Sequence, residues 1–140
     1  MNVLITGGAG YIGSATSYLL LKKNIRPVII DKLIYKKNNI IPKKSFFYKT
    51  NISNINLIKR IIKKHKIDSV IHFAAYKDVE ESIIKPKKYF KNNYLITKKF
   101  INCCKECGIN YFIFSSTAAI YGNQNKNKKV QESTPLKPIS

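Results

Sequence analysis

The chain has 140 residues, enough for one domain of ordinary size, and a hydrophobic fraction of 44% that can build a proper core. Its 26 Lys and Arg against 7 Asp and Glu give a formal charge of +19, yet only Arg26 and Arg60 are Arg, and Lys, Ile and Asn together make 61 of the 140 residues. All three have A/T-rich codons, so compositional bias accounts for the excess. A chain this poor in Arg lacks the usual bidentate reader of bases, and no specific nucleic-acid partner is expected beyond salt-dependent attraction to polyanions.

No apolar run approaches the ~20 residues that cross a bilayer, and the start, Met-Asn-Val-Leu-Ile-Thr-Gly, has no basic n-region. A soluble, cytoplasmic protein without a membrane partner is the expectation. Cys103, Cys104 and Cys107 are too few for a zinc site of four cysteines and have no His nearby, so reduced, buried or idle thiols are expected and no metal.

Apolar runs alternate with helical patterns, as in βα units on a parallel sheet. The first strand is expected over Asn2 to Thr6, followed by a helix over Tyr11 to Lys23 that turns Ile12, Ala15, Leu19 and Leu20 toward the sheet. Pro27 to Asp31 reads as a second strand, continuous in Val28, Ile29 and Ile30 as expected when both faces are covered. A polar connection, Lys32 to Lys44, leads to a third strand at Ser45 to Thr50. Asn54 to Lys66 carries Ile55, Ile58 and Ile62 at helical spacing, its lysines forming a solvated face. Ser69 to Ala74 is the fourth strand. A long helix is expected over Lys87 to Cys107, with Phe90, Tyr94, Ile101 and Cys104 on one stripe and Gly108 as C-cap. Tyr111 to Ser116 is the fifth strand, and Gly122 to Ser140 reads as loop. The fold class is α/β, a Rossmann-like doubly wound parallel sheet, with residues 1–121 as the binding domain and 122–140 as a following loop.

The strongest local signal is Thr6-Gly7-Gly8-Ala9-Gly10-Tyr11-Ile12-Gly13 between a strand and a helix. In a dinucleotide-binding loop Gly7 allows the tight turn, Gly10 lets the backbone approach a pyrophosphate, and Gly13 lets the helix pack close. The phosphates sit at the helix N-terminus, on free N–H groups and the positive dipole end. Asp31 ends the second strand 18 residues after Gly13, near the ~20 expected for the acid that bonds the adenosine ribose. Its carboxylate repels a 2′-phosphate and favours NAD, although Lys32 and Lys36 are cations able to accommodate one.

These residues, with His72-Phe73-Ala74-Ala75-Tyr76-Lys77, Glu81-Ser82 and Pro86, Asn92-Asn93, and Phe114-Ser115-Ser116-Thr117-Ala118-Ala119-Ile120-Tyr121-Gly122, occur in the order seen in UDP-glucose 4-epimerases. The chain resembles that family, within the extended short-chain dehydrogenase/reductases, from Met1 to Ser140. The resemblance implies a bound NAD, a UDP-hexose substrate and a homodimer in the full-length protein. It implies that Tyr11 and Ile12 lie over the pyrophosphate, that Asn51 and Ile52 stand at the adenine, and that Phe73, Ala74, Ala75 and Lys77 line the cofactor, with Lys77 near the nicotinamide ribose. Asn92 and Ser115 join the same site. Thr117 is the expected catalytic residue, hydrogen-bonding the sugar 4-hydroxyl.

Related dehydratases carry Asp-Glu directly after this residue, whereas Ala118-Ala119 stand here. Methyl groups transfer no protons, so the resemblance implies epimerisation through a 4-keto sugar rather than loss of water. It also implies a Tyr general base, with a Lys four residues later, about two residues past Ser140. A fragment or a truncated gene product is therefore expected, and the 140 residues alone are expected not to epimerise UDP-galactose. The competing expectation is a module that holds a dinucleotide without turnover.

Overall fold

The computed structural model describes residues 1–34, 40–123 and 129–139. Five strands, β1 (Val3–Thr6), β2 (Val28–Asp31), β3 (Phe46–Lys49), β4 (Ser69–His72) and β5 (Tyr111–Phe114), form one parallel sheet in the order β3-β2-β1-β4-β5. Its helices are α1 (Tyr11–Lys22), α2 (Ile55–His65), α3 (Val79–Ile84), α4 (Pro86–Tyr89) and α5 (Thr97–Glu106); a π-helical segment, Phe90–Ile96, joins α4 to α5, and a 3₁₀ turn spans Ala118–Tyr121. The doubly wound architecture follows the sequence reading. No helix among the described residues is long and apolar enough to cross a membrane.

Alternate strand residues face opposite sides of a sheet. On one side Leu4, Val28, Ile30 and Val70 meet Ile58, Ile61 and Ile62 of α2 and Phe100, Cys103 and Cys104 of α5 in one apolar cluster. Asn54 caps α2 by accepting the Leu57 N–H at 3.3 Å, and Lys66, in the left-handed region at φ 48°, ends it. Burial pushes the Cys103 thiol up to about 11 and the Cys104 thiol up to about 12, so both stay protonated as small apolar groups.

The other side corrects one expectation. α1 does not turn Ile12, Ala15 and Leu19 to the sheet: Ile12 is 58% and Leu19 61% exposed, while Gly13, Ser14 and Ser17 are buried. Size decides the face. Gly8 already touches the sheet, where a Cβ would lie 2.7 Å from Ile29 Cγ2, so the helix sits too close for large side chains. Burial of the serines leaves no donor idle, because Ser14 donates to the Tyr11 carbonyl at 3.0 Å and Ser17 to the Gly13 carbonyl at 2.8 Å.

The long helix expected over Lys87 to Cys107 is likewise divided. Phe90, Tyr94 and Ile101 are exposed and only Cys104 of the expected stripe is buried, with Thr97, Phe100 and Cys103. Each π turn takes up more than 3.6 residues, so the apolar register before the segment does not continue after it. Gly108, at φ 73°, follows the C-cap as expected, and the Ile109 N–H returns to the Cys104 carbonyl at 3.0 Å. α3 was not anticipated, although Asp78-x-x-Glu81 is a capping signature and Asp78 accepts the Glu81 N–H at 2.8 Å.

Phe100 is fully buried between β4, β5 and α2. Phe100→Ala is expected to cost about 3–5 kcal/mol, read as a lower urea midpoint at unchanged slope.

Candidate functional site

The strand order reverses between β1 and β4: β1 leads out to β2 and β3, and the chain returns to β4 on the other flank. Open α/β sheets bind ligands at the carboxyl ends of the strands at such a switch point. The two segments leaving it, 7–10 and 73–77, touch. Gly7 adopts φ 69°, and a Cβ there would lie 2.8 Å from the Ala74 nitrogen and 2.9 Å from the Phe73 carbonyl carbon. Neither the turn nor the approach tolerates a side chain. At Gly13 a Cβ would press into the Gly7 carbonyl and lie 2.7 Å from Gly8 Cα. Gly10 is exposed and caps α1 without a side chain, leaving the first-turn N–H groups, flanked by exposed Tyr11 and Ile12, with no partner inside the helix.

Asp31 ties this loop to the end of β2, accepting the Ala9 N–H at 3.1 Å on Oδ2 and the Leu33 N–H at 2.8 Å on Oδ1. Each carboxylate oxygen has a second lone pair, so acceptor capacity remains for ribose hydroxyls. Lys32 turns away from that carboxylate: its ammonium donates to Asn92 Oδ1 at 3.2 Å and lies 5.2 Å from the Tyr76 ring centre. Lys36 lies outside the described residues. Asn51 Oδ1 accepts the Ser53 N–H at 3.0 Å, and Ile52 is buried in the core cluster, so a ligand contact at residue 52 falls to its backbone.

The segment after β4 is held from two sides. The Phe73 N–H donates to the Thr6 carbonyl at 3.0 Å and the Ala74 N–H to Thr6 Oγ1 at 3.4 Å, while Ala75 and Lys77 are exposed. Asn93 clamps Tyr76 by its backbone, accepting its N–H at 2.9 Å and donating to its carbonyl at 2.8 Å, and takes a further bond from Asn92 Nδ2 at 2.9 Å. Beneath lies His72, 2% exposed, with Nδ1 2.7 Å from Thr6 Oγ1 and Nε2 3.3 Å from Thr97 Oγ1, and its ring against Phe100, Phe112 and Phe114. The Thr6 and Thr97 hydroxyls can each donate or accept, so either neutral tautomer of His72 is satisfied on both ring nitrogens.

At the end of β5 the Ser115 N–H donates to the His72 carbonyl at 3.1 Å, and exposed Thr117 caps the 3₁₀ turn by accepting the Ala119 N–H at 3.2 Å. The Thr117 hydroxyl proton remains available to a ligand. Gly122 and the tail meet there, the Lys137 N–H donating to the Ile120 carbonyl at 2.9 Å. Tyr94 and Lys98 have the four-residue spacing of an acid–base pair, but the ammonium lies over the ring, 5.9 Å from its centre, as in a cation–π contact. No group of three or more potential metal ligands occurs among the described residues.

Sequence reasoning assigned no role to Gly8, His72 or Asn93. Gly8 had a signal as the second of a glycine pair, and His72 and Asn93 stood within the motifs quoted above, but these two act through partners 66 and 17 residues away.

A family model described as the NAD dependent epimerase/dehydratase family matches residues 3–140. The UDP-glucose 4-epimerase of Klebsiella pneumoniae is 41% identical over 133 residues, 90% of this chain and 96% of that relative. That of Lactobacillus helveticus is 39% identical over 140 residues, all of this chain but 42% of its own length. The crystal structure of the Thermus thermophilus UDP-glucose 4-epimerase in complex with NAD matches at a TM-score of 0.90 and 30% identity, covering 99% of this chain and 45% of that one. The chain thus spans less than half the length of the last two.

Burial lowers the His72 pKa from 6.5 to about 4. Between those values the unfolded chain binds more protons than the folded one, so stability is complete above about pH 6.5 and is lost as pH falls toward 4. The shift amounts to about 3 kcal/mol, and His65, whose pKa burial also lowers, acts in the same direction. Thermal melts from pH 7.5 to 4.5 are expected to fall by about 10 °C, and His72→Gln to flatten most of that slope.

Proposed function

Since this chain belongs to the NAD dependent epimerase/dehydratase family, we propose that it is the dinucleotide-binding part of a UDP-hexose 4-epimerase that acts in the cytoplasm as a homodimer. NAD, when bound, supplies a hydride acceptor and donor for the sugar C4. The groups at the switch point fit it. The open N–H groups at the start of α1 hold the pyrophosphate, and the absence of a side chain at Gly10 lets it lie against the backbone. Asp31 receives the adenosine ribose hydroxyls on its remaining lone pairs, Asn51 and the backbone of Ile52 stand by the adenine, and Phe73, Ala74 and Ala75 wall the nicotinamide side.

Lys77 reaches the nicotinamide ribose from the segment that Asn93 holds through Tyr76, with Asn92 and Ser115 bordering the same crevice. Thr117 orients the sugar 4-hydroxyl and passes its proton, its Oγ1 kept in place by the Ala119 N–H. The observation that carries the reading is the pair of residues in the turn after Thr117. Ala118 and Ala119 provide neither acid nor base, which leaves no group there to expel water and favours inversion at C4 over dehydration. Support comes from relatives that bear the epimerase name over the same stretch.

Calorimetry is expected to show NAD binding about tenfold tighter than NADP, because a 2′-phosphate meets the Asp31 carboxylate; equal or tighter NADP binding would overturn that. In the whole protein, Thr117→Ala is expected to lower kcat for UDP-galactose by about 10²–10⁴-fold in a coupled UDP-glucose assay. Unchanged turnover would remove Thr117 from the mechanism.

A further inference from the structure

Lys32 follows directly on Asp31, at the corner where a 2′-phosphate would have to sit, and its charge is the obvious invitation to NADP. The structure gives that charge another occupation. β2 and β4 flank β1 in the sheet, so two strand spacings of about 4.8 Å separate their ends. The Lys32 side chain crosses this gap to Asn92 Oδ1 at 3.2 Å and to the face of Tyr76, whose ring centre is 5.2 Å from Nζ. Tyr76 in turn is fixed by the two backbone bonds from Asn93 and by its ring contact with Tyr89 at 5.6 Å.

The start of the crossing is held as well. Leu33 sits in the left-handed region at φ 57°, which a bulky residue rarely adopts, with its N–H on Asp31 Oδ1 at 2.8 Å. One carboxylate therefore both faces the ribose corner and sets the turn that launches Lys32 away from it.

We propose that Asn92 and Tyr76 are specificity-determining residues that hold the Lys32 ammonium away from the ribose corner, so that it does not offset the Asp31 carboxylate in the choice of dinucleotide. The inference rests on the reading that this crevice binds NAD. An ammonium released from both partners is a flexible cation one residue from Asp31, and it swings to a 2′-phosphate when one is offered. Charge-assisted bonds of this kind are worth enough to change a binding ratio about tenfold.

The test is calorimetry of the whole chain with NAD and with NADP, comparing the wild type, Asn92→Ala/Tyr76→Leu, the same pair with Lys32→Met, and Tyr76→Phe. The reading is the ratio of the two affinities, in which a general loss of binding cancels. The double variant is expected to raise relative NADP affinity about tenfold, Lys32→Met to abolish that gain, and Tyr76→Phe, which keeps the ring, to leave the ratio at the wild-type value. NAD binding with an unchanged ratio in the double variant overturns the inference and spares the cofactor reading. A gain that survives Lys32→Met also overturns it, by assigning the effect to another cation. Binding of neither dinucleotide to the wild type sinks both.

Discussion

Gly7 brings the backbone that leaves β1 against the backbone that leaves β4, close enough that a Cβ would lie 2.8 Å from the Ala74 nitrogen. Two walls of a crevice are thereby positioned by main chain, with no flexible side chain between them. Thr6 extends the contact, since its carbonyl takes the Phe73 N–H and its hydroxyl touches both Ala74 and His72. Through His72 the same network reaches Thr97, where α5 begins. A neutral, buried imidazole serves here because it donates on one nitrogen and accepts on the other, and a low-dielectric site makes a fully satisfied chain of such bonds worth keeping.

The two faces of the sheet meet different demands. Toward α2 and α5 the sheet presents branched aliphatic residues and receives Ile58, Ile62 and Phe100, and ordinary apolar burial holds that layer together. Toward α1 the controlling quantity is distance. A helix that approaches the sheet this closely cannot stand off on large side chains, so it rests on Gly13, Ser14 and Ser17, with each hydroxyl satisfied by a carbonyl within the helix.

This division explains what was legible in the sequence. The sheet strands announce themselves as short apolar runs, and the contact of the glycine loop with Asp31 was legible because its spacing is local and the close approaches at Gly7 and Gly13 answer steric needs. The face of α1 was misread because hydrophobicity was weighed and volume was not. The segment after Pro86 is helical as expected, but its buried stripe was misread because a π segment has no periodicity that a 3.6-residue template detects. His72 and Asn93 stayed without a role for a third reason: each works through a partner brought close only by the folded chain. The direction of Lys32 is of the same kind, since nothing near residue 32 in sequence names Asn92.

The π segment has one more consequence. Upstream of its end, Asn92 and Asn93 face the crevice; downstream, Phe100, Cys103 and Cys104 face the interior. A regular helix repeats its faces every seven residues or so, and the same stripe would have had to be polar at one end and greasy at the other. Breaking the register at Phe90–Ile96 frees the two halves from a common pattern. Drift in the residues that border the crevice then leaves the packing of the lower half untouched, and the interior can vary without re-aiming the amides above it.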